Sequence, residues 1–193
     1  MRTVKEPDVR RQEILDGAIR VFAQYGYDKA TIATIARELS ISQGLCYRYF
    51  PSKEDIYDAA INQYADLILE ENLRDRQMDQ PIRAWIDGIA QSIVQLTDAE
   101  EKDENLYALF HGGHGERLHN ELILKVVSKL LPYVQESLCR AKAQGEIRIE
   151  DPSHTAIIGL YGEVGMLLAP NIRQEEKIRA IRMGWNRLLG IQD

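Results

Sequence analysis

The sequence predicts an all-α fold, and three observations support this prediction. Apolar residues recur at three- and four-residue spacing along the long segments, which is the period of an amphipathic helix. Glycine and proline fall near the ends of these segments, where helices start and stop. No segment shows a convincing strand pattern of alternating apolar and polar residues. With 193 residues, of which 45% are hydrophobic, the chain can bury a sizeable core.

The first helix is predicted from about Val9 to Tyr25. Ile14, Ala18 and Phe22 lie on one face at helical spacing, and Gly26 follows as a C-terminal stop. This helix is expected to form the floor on which the next two helices pack.

Two short helices follow, joined by a tight turn. Thr31 is placed as the N-cap of the first, and Ser42 as the N-cap of the second, which runs from Gln43 to Tyr49. Cys46 and Phe50 are predicted to be buried. Because the turn is too short for an antiparallel pair, the two helices are expected to cross steeply.

The outward side chains of the second short helix have the chemistry of DNA recognition. Gln43 can bond a base edge in two places, Leu45 can contact a thymine methyl group, and Arg48 can reach a guanine or a phosphate. Gly44 costs about 1 kcal/mol of helix stability relative to alanine, which is explained if the backbone must approach a large partner. The alternative, two ordinary core helices, is disfavoured because the two tyrosines of this helix point in nearly opposite directions. The residues predicted to bind duplex DNA are Thr31, Ser42, Gln43, Gly44, Leu45, Tyr47, Arg48, Tyr49 and Lys53.

Residues 30–56 carry the pattern A-T-I-A-x-I-A-x-x-L-x-I-S-x-G-x-x-Y-x-Y-F-x-S-K-E-x-I. This pattern resembles the helix-turn-helix of the tetracycline-repressor (TetR) family of bacterial transcriptional regulators, and the resemblance covers roughly Arg11 to Ile61. Ser40 stands where the family usually has a glycine in the turn, and Cys46 stands where it usually has a leucine. Neither departure removes a DNA-contacting group.

The resemblance implies a ligand-responsive repressor that binds a near-palindromic operator as a homodimer and leaves it when a small-molecule effector binds. Residues 1–50 would form the helix-turn-helix DNA-binding domain, and residues 51–193 a larger helical effector-binding and dimerisation domain. In that family the fourth helix transmits the ligand signal to the DNA-binding head. The later helices are predicted, with approximate ends, at Ser52–Leu73, Pro81–Leu96, Leu106–His111, Glu116–Gln144, Ser153–Leu168 and Glu175–Leu189.

The last two predicted helices are the candidates for the dimer interface. Three glycines at three-residue spacing lie on one side of the first, and closely packed partner helices would compensate for their low helix propensity. The final helix has a wide apolar surface on which Trp185 is a natural anchor. The resemblance implies a four-helix bundle with a second subunit, and the alternative is that both helices are internal core. The predicted interface residues are Gly159, Gly162, Gly165, Ile178, Ile181, Trp185 and Leu188.

A small-molecule pocket is expected among the helices between residues 52 and 168. For each candidate taken singly, ordinary core packing is the competing explanation. The lack of a buried cationic stripe favours an apolar effector that is neutral or cationic. The candidate lining residues are Tyr64, Trp85, Tyr107, Phe110, His111, Tyr133, Tyr161 and Met166.

The charge distribution agrees with a DNA-binding amino-terminal segment. Residues 1–53 hold nine Lys/Arg and six Asp/Glu, giving +3, and the remainder holds fifteen and twenty-four, giving −9, so that the total is −6. An excess of +3 is modest. Binding should therefore depend on a few placed phosphate contacts and on the pairing of two subunits.

Other constellations give weaker signals. His111, His114 and His119 near Glu116 suggest a metal-dependent enzyme or metal sensor as a second hypothesis, although the required matching ligands on another helix are missing. A third hypothesis is that the first helices bind DNA while the later helices bind a protein instead of a small molecule. No catalytic or phosphate-binding motif is present, so neither enzyme activity nor a cofactor or metal is expected.

Cys46 and Cys139 are expected to be small buried hydrophobes. No apolar run approaches the roughly 20 residues that span a bilayer, and the first residues lack an apolar signal core. We therefore expect a cytoplasmic protein with no membrane partner.

Overall fold

The computed structural model describes residues 6–74, 80–88 and 116–191. Over these residues the secondary structure consists of eight helices and no strand, so the predicted all-α fold is confirmed. The helices are α1 (Pro7–Tyr25), α2 (Ile32–Glu38), α3 (Gln43–Tyr49), α4 (Lys53–Arg74), α5 (described over 82–88), α6 (Glu116–Ala143), α7 (Pro152–Leu168) and α8 (Gln174–Leu189). The predicted short helix at Leu106–His111 lies outside the described residues.

The chain divides into two compact units. The first contains residues 1–65 and 99–122, and the second contains residues 66–98 and 123–193. Helices α4 and α6 therefore each contribute residues to both units. The functional division predicted at residues 1–50 and 51–193 stays a prediction.

In the first unit, α1 packs against α2, and α2 packs against α3. Pro7 starts α1, where its missing N–H costs nothing, and Gly26 ends it with a φ of 77°. Gly17 lies in the middle of α1 because a Cβ there would come within 2.7 Å of the Leu39 side chain. This absence of a side chain lets the two helices approach closely.

The second unit has a core built from α5, α6, α7 and α8, together with the segment after α6. Trp85 meets Trp185 edge to face, with ring centroids 5.1 Å apart. The Trp185 indole N–H donates to Glu163 Oε2 at 3.2 Å. The buried members of this core are Ile82, Trp85, Ile86, Val127, Val134, Leu138, Ala141, Ile147, Ile149, Ala156, Leu160, Val164, Ile181, Trp185 and Leu189.

The predicted interface is corrected at three of its residues. Trp185 is 2% exposed and Ile181 is 6% exposed, because both pack inside the second unit's own core. Gly159 is buried directly against the Trp185 ring, which occupies the space that a Cβ would need. The prediction that Trp185 presents an outward anchor is therefore wrong.

The two cysteines differ in their surroundings. Cys46 is fully buried in α3, as predicted, whereas Cys139 on α6 is exposed, so the prediction of a buried Cys139 is wrong. Among the described helices, none combines the length and hydropathy required to cross a membrane.

Candidate nucleic-acid interface

Both short helices begin with the side-chain caps that the sequence predicts. Thr31 Oγ1 accepts a hydrogen bond from the backbone N–H of Thr34 at 3.1 Å. Ser42 Oγ accepts one from the backbone N–H of Leu45 at 3.3 Å. Each cap satisfies one of the free N–H groups at a helix start, which fixes where helices of only seven residues begin.

The turn between α2 and α3 is a Schellman motif formed without glycine. Ser40 has a φ of 53°, in the left-handed region that usually favours glycine. The Ser40 N–H donates to the Arg37 carbonyl at 3.1 Å, and the Ile41 N–H donates to the Ala36 carbonyl at 2.9 Å. These bonds end α2 abruptly and redirect the chain into α3.

One face of α3 is anchored in the core of the first unit. Cys46 is fully buried, and Phe50 directly after the helix is 3% exposed. The guanidinium of Arg11 on α1 lies 4.8 Å from the centre of the Phe50 ring. The buried face therefore sets the rotation of α3 about its axis and decides which side chains face outward.

The opposite face of α3 carries the residues predicted to contact DNA. Gln43, Gly44, Tyr47 and Arg48 are exposed, and Tyr47 keeps 53% of its surface accessible. Leu45 and Tyr49 are half-buried at the edges of this face. Thr31 and Ser42, the two capping residues, are also exposed. A base-bonding amide, a guanidinium and a phenol thus lie on one open surface.

Gly44 has no packing role within the described structure. A Cβ placed on it would meet nothing within 4 Å. Its helix-weakening effect is therefore not compensated by a close internal contact, in contrast to Gly17.

Lys53, predicted to offer a charge to the DNA backbone, is also bonded to the protein itself. Its Nζ donates to the Tyr27 carbonyl at 2.7 Å and lies 4.1 Å from the centre of the Tyr27 ring. The side chain is half-buried. Lys53 therefore joins the first turn of α4 to the loop before α2, and its remaining N–H groups are the ones available for a phosphate.

The side-chain cap of α4 and an aromatic cluster around Tyr27 were not predicted from the sequence, although a helix starting near Ser52 was. Ser52 Oγ accepts from the Asp55 N–H at 3.1 Å and donates to Asp55 Oδ2 at 2.6 Å, which caps α4. The ring centroids of Tyr27 and Tyr57 are 4.7 Å apart, and those of Phe22 and Tyr57 are 5.2 Å apart. The only available signal was the aromatic character of Tyr27 and Tyr57 on either side of the motif.

The family model described as "Bacterial regulatory proteins, tetR family" matches residues 14–60, which contain most of α1, the whole of α2 and α3, and the start of α4. Residues 14–60 therefore match the helix-turn-helix segment of the TetR family of bacterial regulatory proteins. The matched segment is that of DNA-binding bacterial transcriptional regulators.

Relatives extend the match beyond the helix-turn-helix. The HTH-type transcriptional regulator SrpR of Pseudomonas putida is 24% identical over 178 residues, which is 91% of this chain and 81% of SrpR. The structure of GusR from Salmonella enterica covers 98% of this chain and 100% of its own, with a TM-score of 0.70 and 21% identity. The structure of a SmeT–triclosan complex covers 96% of this chain and 93% of its own, with a TM-score of 0.69 and 20% identity. These two structures share the fold of this chain.

The predicted pocket residues do not all lie in similar surroundings. Tyr64 and Trp85 are buried, and Met166 is half-buried against the second unit's core. Tyr133 and Tyr161 are 38% and 44% exposed. The remaining candidates, Tyr107, Phe110 and His111, lie outside the described residues.

The remaining interface candidates lie near the surface of α7 and α8. Gly162, Gly165 and Leu188 are exposed, and Ile178 is half-buried. At Gly162 and Gly165, no atom of another described element lies within 4 Å of the place where a Cβ would lie. The same two helices carry large exposed apolar side chains, namely Ile157, Ile158, Tyr161, Leu168, Met183 and Leu188.

The histidines considered for a metal site are only partly described. His111 and His114 lie outside the described residues. Within the described ranges, no three His, Cys, Asp or Glu side chains come together as metal ligands would. His154 Nδ1 lies 3.3 Å from Oδ2 of Asp151, which is the N-cap of α7.

Proposed function

We propose that this protein is a homodimeric TetR-family repressor that binds a near-palindromic operator in the cytoplasm and is released by a small-molecule effector. The observation that supports it best is the two-sided construction of α3. Buried Cys46 and Phe50 fix one face, while the other presents Gln43, Tyr47 and Arg48 to solvent. A rigid helix with exposed hydrogen-bonding side chains is suited to the major groove of B-DNA.

The proposed roles of the DNA-binding residues follow from their chemistry and exposure. Gln43, Leu45 and Arg48 would read base edges. A second group would hold the sugar-phosphate backbone through hydroxyl or ammonium groups. That group comprises Thr31, Ser42, Tyr47, Tyr49 and Lys53.

Dimerisation would use the exposed apolar face of α7 and α8. The open space at Gly162 and Gly165 lets the backbone of another helix approach closely. Ile157 and Ile158 on the same helix are 40% and 60% exposed. Two subunits would place two copies of α3 on the same side of the duplex, about one helical turn or a multiple apart. This pairing doubles the small number of base contacts that one short helix provides.

The effector would be apolar and either neutral or cationic, and it would bind among the later helices. The structural neighbours include a complex of SmeT with triclosan. Effector binding would change the position of α4 and lower operator affinity through a coupling free energy on the order of 1–3 kcal/mol. This change would alter the distance between the α3 helices of the two subunits.

Selection of bound duplexes from a random pool tests the proposal. A two-fold symmetric consensus from the purified protein at low salt would support both DNA reading and dimeric binding. Failure to enrich any duplex, or enrichment of an asymmetric single site, would contradict it.

Two variants then separate base reading from backbone binding. Gln43→Ala should relax the preference at one base position of each half-site, while Lys53→Ala should weaken binding to all sequences alike and reduce its salt dependence. Equal losses on all sequences for both variants would contradict the assigned roles.

A further inference from the structure

The first two turns of α4 hold the loop before α2 through two side chains. Lys53 bonds to the Tyr27 carbonyl at 2.7 Å, and Tyr57, one turn later, packs its ring on the Tyr27 ring at 4.7 Å. The Phe22 ring of α1 contacts both tyrosines, with its centroid 5.2 Å from that of Tyr57 and 5.8 Å from that of Tyr27. The start of α4 is thereby attached to the head, which we define as α1, α2 and α3.

Tyr57 also makes a polar contact with α6. Its hydroxyl donates to Glu121 Oε2 at 2.6 Å, within the first unit. Tyr57 is only 5% exposed, so that water competes weakly for this bond. A hydrogen bond from a phenol to a carboxylate is shorter and stronger than a hydrogen bond between two neutral groups.

Glu121 itself belongs to a well-fixed part of α6. Leu118 and Leu122, one turn before it and directly after it, are 3% and 0% exposed. The carboxylate is therefore presented from a helix turn whose neighbouring side chains are buried. Tyr57 thus combines two functions: its ring packs against the head, and its hydroxyl binds a fixed point on α6.

We propose that Tyr57 is a positioning residue that, through its hydrogen bond to Glu121, fixes the orientation of the DNA-binding head and thereby the half-site spacing the dimer accepts. This inference rests on the proposed function, because spacing has meaning only for a dimer on a two-fold site. One base pair of spacing corresponds to about 3.4 Å along the duplex. A small rotation where α4 meets the head is therefore enough to favour a neighbouring spacing.

The test uses the full-length protein and a series of duplexes. The half-sites of the selected consensus are moved apart or together by one and two base pairs, and a single half-site is included. Wild-type protein should bind the preferred spacing most tightly, with affinity that falls steeply on either side. Tyr57→Phe keeps the ring and removes the hydroxyl, so its preference for the best spacing over the adjacent ones should shrink by about fivefold or more. Its affinity for the single half-site should stay unchanged.

Glu121 provides the matched pair of variants. Glu121→Leu removes the acceptor and should flatten the spacing profile as Tyr57→Phe does. Glu121→Gln keeps an amide oxygen that accepts from the Tyr57 hydroxyl, so it should retain most of the wild-type profile. Thermal unfolding of each variant checks that the fold is intact, and Tyr57→Phe alone decides the matter if Glu121→Leu does not fold.

The outcomes are distinguishable. A Tyr57→Phe profile identical to that of the wild type, or an equal loss at every spacing including the single half-site, overturns the role of Tyr57 and leaves the proposed function standing. Wild-type protein that binds no duplex overturns both.

Discussion

Gly44 and Gly17 show that the same residue type serves different purposes in one unit. At Gly17 the Leu39 side chain fills the space of the missing Cβ, so the glycine serves internal packing. At Gly44 that space is open and faces solvent on α3. A residue that weakens its helix without a described internal benefit is best explained by an external partner.

Gly44→Ala should separate stability from DNA binding. Alanine has the higher helix propensity, so the free energy of unfolding should rise by up to about 1 kcal/mol. The added methyl group should obstruct the approach of DNA and weaken operator binding. Thermal unfolding and fluorescence anisotropy with labelled operator measure the two effects.

Gly88→Ala on α5 is the matched control, because a Cβ there also meets no atom of the described residues within 4 Å. It should leave operator affinity unchanged. Unaltered affinity in Gly44→Ala as well would argue against a close approach of DNA at Gly44.

The two cysteines should differ sharply in reactivity. Burial raises the pKa of the Cys46 thiol, so less thiolate is present at a given pH, and the side chain is also fully inaccessible. Cys139 is exposed. In the native protein a thiol reagent should modify one cysteine quickly, and Cys139→Ser should remove that reaction.

Denatured protein supplies the reference for this titration, since both thiols should then react. Two rapid equivalents from native wild-type protein would show that Cys46 is accessible.

At the level of the helices, the N-cap of α7 gives a pH-dependent prediction. Asp151 Oδ1 accepts from the backbone N–H groups of His154 at 3.0 Å and Ser153 at 2.8 Å. The bond from His154 is the main cause that lowers the pKa of Asp151, and the bond from Ser153 adds to it. The ionised carboxylate is therefore the form that stabilises the folded state.

Asp151→Ala should lower the unfolding temperature at pH 7. In the unfolded chain an aspartate titrates near about 3.9, so the stabilisation is complete above that pH and is lost as the pH falls through the lower folded-state pKa. The difference between wild type and Asp151→Ala should therefore shrink below about pH 4. Thermal unfolding followed by circular dichroism across this range measures it.

Asp151→Asn is the control, because asparagine caps helices well but does not ionise. Its advantage over Asp151→Ala should persist at low pH. A wild-type advantage that stays constant on acidification would show that the carboxylate charge has no part in the cap.

The contact between α7 and α8 depends on Gly159. Because the Trp185 ring occupies the space of a Cβ at this residue, Gly159→Ala should destabilise the protein by about 1–3 kcal/mol through overpacking. Chemical denaturation followed by circular dichroism measures the loss. Gly184→Ala on α8, where a Cβ would meet no atom of the described residues within 4 Å, is the comparison, and an equal effect from both would refute the packing explanation.

Helix positions could be predicted from the sequence because their ends are determined locally. Caps such as Thr31 and Ser42, and stops such as Gly26, depend on neighbouring residues. The exposed face of α3 could be predicted because helical periodicity places its polar side chains opposite its apolar ones. The inward position of Trp185 could not be predicted, because helical periodicity identifies an apolar face without saying what covers it.

Contacts between distant parts of the chain were also beyond sequence reasoning. Tyr57 and Glu121 are separated by 64 residues, and neither belongs to the motif quoted for residues 30–56. The packing of Tyr27 against Lys53 likewise depends on how the loop before α2 meets α4. Such pairs become visible only when the tertiary structure is known.

At the level of the whole molecule, the apolar face of α7 and α8 should control self-association. Ile158 is 60% exposed, the largest exposed fraction among the large hydrophobic side chains of the described residues. Ile158→Glu would place a charge in the proposed interface and should shift the protein towards monomer, with dimer affinity reduced by about tenfold or more. Analytical ultracentrifugation over a concentration series measures this.

Leu124→Glu is the control, since Leu124 is 45% exposed on α6, outside the proposed interface. It should leave sedimentation unchanged. A dimer that survives Ile158→Glu intact would place the interface elsewhere.

The paired indoles give the unmodified protein an internal optical reporter. The chain contains only two tryptophans, and both belong to one edge-to-face pair in the second unit, with one indole N–H bound to Glu163. Indole emission therefore originates entirely in the part of the chain proposed to sense the effector. Docking of an operator on α3 should leave this emission unchanged, whereas a rearrangement around the pair should shift its wavelength, so that the two events can be followed separately in one cuvette.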